Sequence, residues 1–309
     1  MNSITTTAAT AGTKGPIVWL DMDQQALDDA YDQNVYAPNR DQIARRRLAN
    51  SAAARARIGE PLRFAYGPTP VEGLDVYRTQ ILAASGAADA PVAIFIHGGA
   101  WRTGDASEFT FLAEPFVNAG AHFVALDFTN VDAAGGSLFP MVEQVRRAVG
   151  WVYRNAAEFS GDRNRLHLVS HSSGSHLAGC VVTHDWAKAG LPRDILKSAV
   201  LSSGMYDLKP VRLSKRSKYV NFTDTMESEL SAIRHLDTLH TPLVLAYGTY
   251  ETPEFKRQTR DFAAAVKAAG KPVELLVAEG YNHFEMLETL ANPYGLLGRA
   301  MLGQMGLLK

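Results

Sequence analysis

One cysteine, Cys180, stands in 309 residues, so neither an intrachain disulfide nor a cysteine-based zinc site can form. It follows a run of small residues on what reads as a buried helix, which marks it as an inert core thiol. No run of about 18 apolar residues is present, so no membrane-spanning helix is expected. An excess of one charge is lacking too. Thirty-one Lys and Arg against 32 Asp and Glu leave a formal net charge of −1, which speaks against nucleic acid or an anionic membrane as partner. The most basic stretch, DQIARRRLANSAAARARIGE (41–60), interleaves arginine with alanine at helical spacing and reads as a solvated helix face. The opening MNSITTTAATAGTKG lacks the charged start and apolar core of a secretory signal. These absences set the expectation of a cytoplasmic protein whose Thr/Ala/Gly-rich residues 1–15 are disordered.

What is present is an alternation. Short apolar runs such as PVAIFI (91–96), RLHLVS (165–170) and PLVLAYG (242–248) have the length and composition of strands buried on both faces. Amphipathic patterns separate them, among them PMVEQVRRAVGWVYRNAAEF (140–159) and PEFKRQTRDFAAAVKAAG (253–270). LRFAYG and LDVYRTQIL read as a leading strand pair. Residues 209–224 read as an irregular basic loop, and 226–236 as a helix. Strand alternating with helix predicts an α/β fold: a mostly parallel central sheet with helices on both faces. Residues 61–309 are expected to form one domain, and 16–60 a helical extension broken at Pro38.

In such folds functional groups gather in loops at the carboxyl ends of the strands, and four of those loops carry chemistry. HGGAW spans residues 97–101, SHSSGSH 170–176, ETPEF 251–255 and YNHFE 281–285. A serine hydroxyl becomes nucleophilic when an imidazole takes its proton. The imidazole needs a carboxylate to fix its tautomer, and the tetrahedral oxyanion needs backbone N–H donors. Ser172, His283, Glu251 and the glycines after His97 fill these roles. Their chain order, serine then acid then histidine, is that of the α/β-hydrolase fold. A nucleophile on a sharp strand-to-helix turn needs small neighbours two places either side. Ser170 and Gly174 stand there, with Ser170 departing from the usual G-x-S-x-G.

On these four motifs, residues 60–295 resemble an α/β-hydrolase of the arylformamidase (kynurenine formamidase) type, close to the hormone-sensitive-lipase-like esterases. The resemblance implies that HGGAW and the residue after the nucleophile form the oxyanion hole, through Gly98, Gly99 or Ala100 with Ser173. It also implies that His97 braces the glycine loop. In ETPEFKRQ, Glu251 stands where the family more often has aspartate, so its carboxylate must reach one bond further. The implied activity is acyl transfer from an N-formyl aryl amine such as N-formylkynurenine, with a carboxylesterase acting on short acyl esters as the alternative. No cofactor is called for.

Competing assignments are open at several residues. Glu254 and Asp207 rival Glu251 as the acid, although Glu254 is explained by a helix start after Pro253 and Asp207 by a loop cap. His171 and His176 are five apart, wrong for a metal pair on one helical face, and no metal is expected. Trp101, Met205, Tyr206 and Tyr281 flank the catalytic loops and are candidate walls for a small aromatic substrate. The basic stretch 209–218 either pairs with a substrate carboxylate or is solvated. Residues 22–58 either cover the pocket or meet another chain, so a homodimer is compatible with the sequence.

Overall fold

Strand β5 (Ala90–Ile96) is buried at every position, as its unbroken apolar run requires. It lies near the middle of an eight-stranded sheet formed among the residues described by the computed structural model, 15–81 and 89–308. Ahead of it come β1 (Ile17–Trp19), β2 (Met22–Asp23), β3 (Leu62–Ala65) and β4 (Gly73–Tyr77); after it come β6 (His122–Leu126), β7 (Gly161–His171), β8 (Ser198–Ser202), β9 (Leu243–Gly248) and β10 (Val273–Ala278). The sheet runs β10-β9-β8-β7-β5-β6-β4-β3. All pairs from β10 to β6 are parallel, while β4 pairs antiparallel with both β6 and β3.

Apolar clusters cover both faces. One is anchored by Ile94, Leu168, Val145 and Phe262, the other by Phe95, Val169, Phe116 and Met301. Successive strand residues point to opposite faces, so Ile94 and Phe95 serve different clusters. The covering helices include α4 (Ala113–Ala119), α5 (Phe139–Asn155), α6 (Ser173–Val182), α7 (Leu208–Leu213), α8 (Asp224–Glu229), α9 (Pro253–Ala268), α10 (Met286–Leu290) and α11 (Leu296–Gln304). Among the described residues no helix is long and apolar enough to cross a membrane.

The N-terminal segment carries α1 (Gln24–Ala30), α2 (Gln33–Tyr36) and α3 (Arg40–Ile58), with the break between the last two spanning Pro38 as expected. It opens on a short antiparallel pair, β1 with β2, rather than on helix. Residues 1–14, with nearly all of the stretch expected to be disordered, lie outside the described residues.

Two further expectations need correction. The stretch 209–224 is not irregular: α7 and a 3-10 turn at Lys215–Lys218 occupy most of it, started by the side chains of Asp207 and Ser214 accepting from backbone N–H groups. The helix expected at 226–236 starts earlier, at Asp224, and stops at Glu229. Thr223 caps its start by accepting from the Met226 N–H, a signal that the apolar spacing does not contain.

Candidate active site

Parallel strands β5, β7, β9 and β10 deliver their carboxyl ends to one edge, and the four chemical loops meet there. At the end of β7 the chain turns into α6 through Ser172, whose backbone is held at φ 59° and ψ −129°. That is a costly conformation for a residue with a Cβ. Room for the turn comes from Gly174, where a Cβ would fall 2.3 Å from the Ile96 carbonyl oxygen. The smallness of Ser170 is used as well: its hydroxyl bonds that of Ser175 at 2.9 Å inside the elbow.

The His283 Nδ1–H donates to Glu251 Oε2 at 2.7 Å, and its Nε2 accepts from the Ser172 hydroxyl at 2.8 Å. All three residues are buried, Glu251 completely. A buried carboxylate must have its lone pairs met. Oε1 of Glu251 accepts from Ser203 Oγ at 2.6 Å and from the Gly248 N–H at 2.7 Å, while Gln33 Nε2 approaches Oε2 at 3.4 Å. The loop bearing His283 is fixed by His171, whose Nε2–H donates to the His283 carbonyl at 2.8 Å. Burial above all, helped by the neighbouring His283, holds His171 well below the ordinary histidine range, so it is a neutral donor.

Across from Ser172 lies the HGGAW loop. Gly99, Ala100 and Trp101 all have positive φ, at 121°, 55° and 64°. A Cβ at Gly99 would stand 1.9 Å from the Thr103 carbonyl oxygen. The N–H groups of Gly98, Gly99, Ala100 and Ser173 donate to no acceptor among the described residues. His97 lies between the rings of Phe128 and Phe109, at 4.4 and 5.5 Å between centroids, and its Nδ1–H donates to the Gly98 carbonyl at 2.7 Å. Burial lowers its pKa, which suits a neutral ring.

The two rival acids have other partners. Glu254 is held by both nitrogens of the Arg257 fork, at 2.6 and 2.7 Å, and accepts from the Tyr31 hydroxyl at 2.8 Å. Asp207 caps α7 and pairs with Arg234 at 3.1 Å. His176 turns away from His171, to the Leu230 carbonyl at 3.0 Å. The Cys180 thiol beside it is buried, and burial pushes it up to about 11, as befits an inert core group.

A cavity of about 380 Å³ opens over Ser172 and His283. Its far wall is the N-terminal extension, including Tyr31, Gln33, Ile43 and Arg47, so these helices cover the pocket. Covering the pocket was one of two alternatives open for this segment in the sequence, but the individual residues were not foreseen; Arg47, recurring on an alanine-rich stretch, carried no sign of facing inward. The expected aromatic walls need correction: among the described residues lining the cavity, Trp101, Met205, Tyr206 and Tyr281 do not appear. Trp101 is turned by its left-handed backbone edge-on to His176, with ring centroids 5.2 Å apart. Tyr206 stacks on Phe262 at 4.2 Å in the core, Met205 is fully buried, and Tyr281 faces solvent. Phe109, Phe111 and Phe284 supply the aromatic surface instead.

Comparison with known proteins identifies relatives over most of the chain. The BD-FAE family model matches residues 74–199. Kynurenine formamidase of Danio rerio is 31% identical over 93% of this chain and 98% of its own, and that of Salmo salar 32% identical over 79% and 82%. Esterase LipC of Mycobacterium tuberculosis is 28% identical over 73% of this chain and 57% of its own. Among solved structures, an esterase from Thermogutta terrifontis with bound propionate superimposes with a TM-score of 0.65 at 21% identity, covering 81% of this chain and 96% of its own. A Silicibacter sp. TM1040 protein reaches a TM-score of 0.76 at 21% identity over 89% and 98%. The fold is that of an α/β-hydrolase, the protein is a serine hydrolase, and the chain belongs to the kynurenine formamidase family.

Proposed function

We propose that this chain is an arylformamidase that hydrolyses an N-formyl aryl amine such as N-formylkynurenine through a formyl-enzyme on Ser172. The Ser172 oxygen attacks the formyl carbon while its proton passes to His283 Nε2. Glu251 holds the imidazole in the receiving tautomer and stabilises the imidazolium that forms. Backbone N–H groups of Gly98, Gly99 or Ala100, with that of Ser173, receive the oxyanion. When the C–N bond breaks, His283 returns the proton to the departing aryl amine. A water then gives its proton to His283 and its oxygen to the acyl carbon, and formate leaves as Ser172 recovers its hydroxyl.

The observation that carries this reading is the unbroken row from Glu251 through His283 to Ser172, with contacts of 2.7 and 2.8 Å. Family membership favours the formamide. A formyl group offers little surface, so binding energy must come from the remainder of the substrate, and the phenylalanine-lined cavity suits an aryl ring. Similarity to an esterase over 73% of the chain favours a second reading, a carboxylesterase on short acyl esters. Measuring kcat/KM on N-formyl-L-kynurenine and on p-nitrophenyl acetate separates the two. The proposal expects the formamide to be preferred; a preference of several orders of magnitude for the ester would replace it with the second reading.

A further inference from the structure

Three arginines line the cavity, and two are neutralised by carboxylates: Arg40 by Asp41 at 2.9 Å and Arg47 by Glu108 at 2.5 Å. Arg216 differs. It is only 6% exposed, yet among the described residues no carboxylate lies within ion-pair reach of its guanidinium. Its hydrogen-bond partners are neutral: Nη1 donates to the Tyr219 hydroxyl at 2.8 Å and Nη2 to the Tyr31 carbonyl at 3.1 Å, while Nε has no acceptor. The rings of Trp101 and Phe255 flank it, at 5.4 and 5.9 Å. Asp32, also on the cavity wall, forms its ion pair with Lys215 and feels the charge of Arg216 only from beyond ion-pair reach. A guanidinium taken out of water without an anion is costly, and arginine's planar fork is suited to two-pronged capture of a carboxylate.

We infer that Arg216 is a specificity-determining residue that binds a carboxylate on the amine side of the substrate, from its place on the cavity wall. The inference rests on the formamidase reading and adds to it the residue that holds the anionic group of the substrate. Of the other basic residues in 209–218, Arg212 pairs with Asp224 and Lys215 with Asp32, while Lys209 and Lys218 are exposed and outside the cavity lining, so Arg216 is the one that faces a ligand there.

The test compares kcat/KM for N-formyl-L-kynurenine with that for its carboxamide in the wild-type enzyme. A charged hydrogen bond in a desolvated site predicts a preference for the carboxylate of about 30-fold or more, expressed mainly in KM. In R216Q the ratio collapses toward one, and in R216K it is intermediate, because the ammonium keeps the charge and loses the fork. A ratio near one in the wild-type enzyme overturns the inference, as does an unchanged ratio in R216Q. If R216Q fails to fold, the wild-type ratio decides alone. If the enzyme cleaves no formamide, the formamidase reading falls, and O-acetyl-L-tyrosine against its carboxamide then tests Arg216 by the same ratio.

Discussion

Gly98 and Ser172 are in such close contact that a Cβ built on the glycine would stand 2.9 Å from the serine Cβ. The same Cβ would also stand 2.9 Å from the His171 carbonyl oxygen, and neither neighbour can swing away. Gly98→Ala must therefore push the HGGAW loop off Ser172. Because the N–H donors lie on that loop, kcat is expected to fall about 100-fold or more, the usual loss for a misplaced oxyanion donor. Overpacking should cost about 1–3 kcal/mol of stability. Steady-state kinetics and urea unfolding check both; wild-type kcat in a folded variant would show that the loop is not the oxyanion site.

Glu251 reads out the tautomer of His283. Its Oε1 is engaged by the Ser203 hydroxyl and the Gly248 N–H, both donors, so in Glu251→Gln the amide oxygen must stay there and the NH₂ turns to His283 Nδ1. The imidazole then carries its proton on Nε2 and cannot accept from Ser172. A loss of kcat of roughly four orders of magnitude is expected, with the fold retained. Asp207→Asn, at the rival acid, should leave kcat near wild type. The reverse outcome would move the acid to Asp207.

The central sheet and the site's four loops were readable in the sequence because each depends on local chemistry. Unbroken apolar runs mark β5 and β9, glycines mark tight turns, and the order of serine, acid and histidine is linear information. The choice of Glu251 over Glu254 was also readable, since an acid just after Pro253 has a helix start to explain it. The pocket walls were not readable. Adjacency to a catalytic loop gives no direction: Trp101 follows Ala100 directly, yet its positive φ sends the ring behind the elbow. Nor does helical spacing say which element a helix packs on. The extension is placed over the site by long-range contacts that no local pattern encodes, such as Asn39 with both Asn282 and Glu285 at 2.8 Å.

His176 makes stability depend on acid. Burial above all pushes it down to about 4, from an ordinary 6.5. Between those values the unfolded chain takes up a proton that the folded chain refuses. Its contribution is therefore complete above about pH 6.5 and is lost as pH falls toward 4, by about 1.4 kcal/mol per pH unit. His167, pushed to about 4 by burial and by Arg165 and Lys197, adds in the same direction. His176→Gln keeps a donor for the Leu230 carbonyl and removes the titration. Urea unfolding between pH 7 and 4 should show a loss smaller by roughly 3 kcal/mol than wild type; an identical pH profile would mean that water reaches the imidazole.

The backbone at Ser172 predicts an inversion of an ordinary rule. Replacing alanine by glycine normally destabilises by about 0.5–1 kcal/mol, because glycine loses more freedom on folding. At φ 59° and ψ −129° a Cβ is crowded by its own peptide groups, and the strain is worth about 1–3 kcal/mol. Ser172→Ala keeps that strain and Ser172→Gly releases it, while both remove the hydroxyl and its bond to His283. The bond cancels between the two variants, so their difference isolates the backbone. Both should be inactive on formamide and ester alike, and the glycine variant should be the more stable of the pair by about 1 kcal/mol in urea unfolding. Equal stability, or the alanine variant ahead, would mean that the turn at residue 172 relaxes in solution. A relaxed turn would leave the serine oxygen without the fixed position that its alignment with His283 requires.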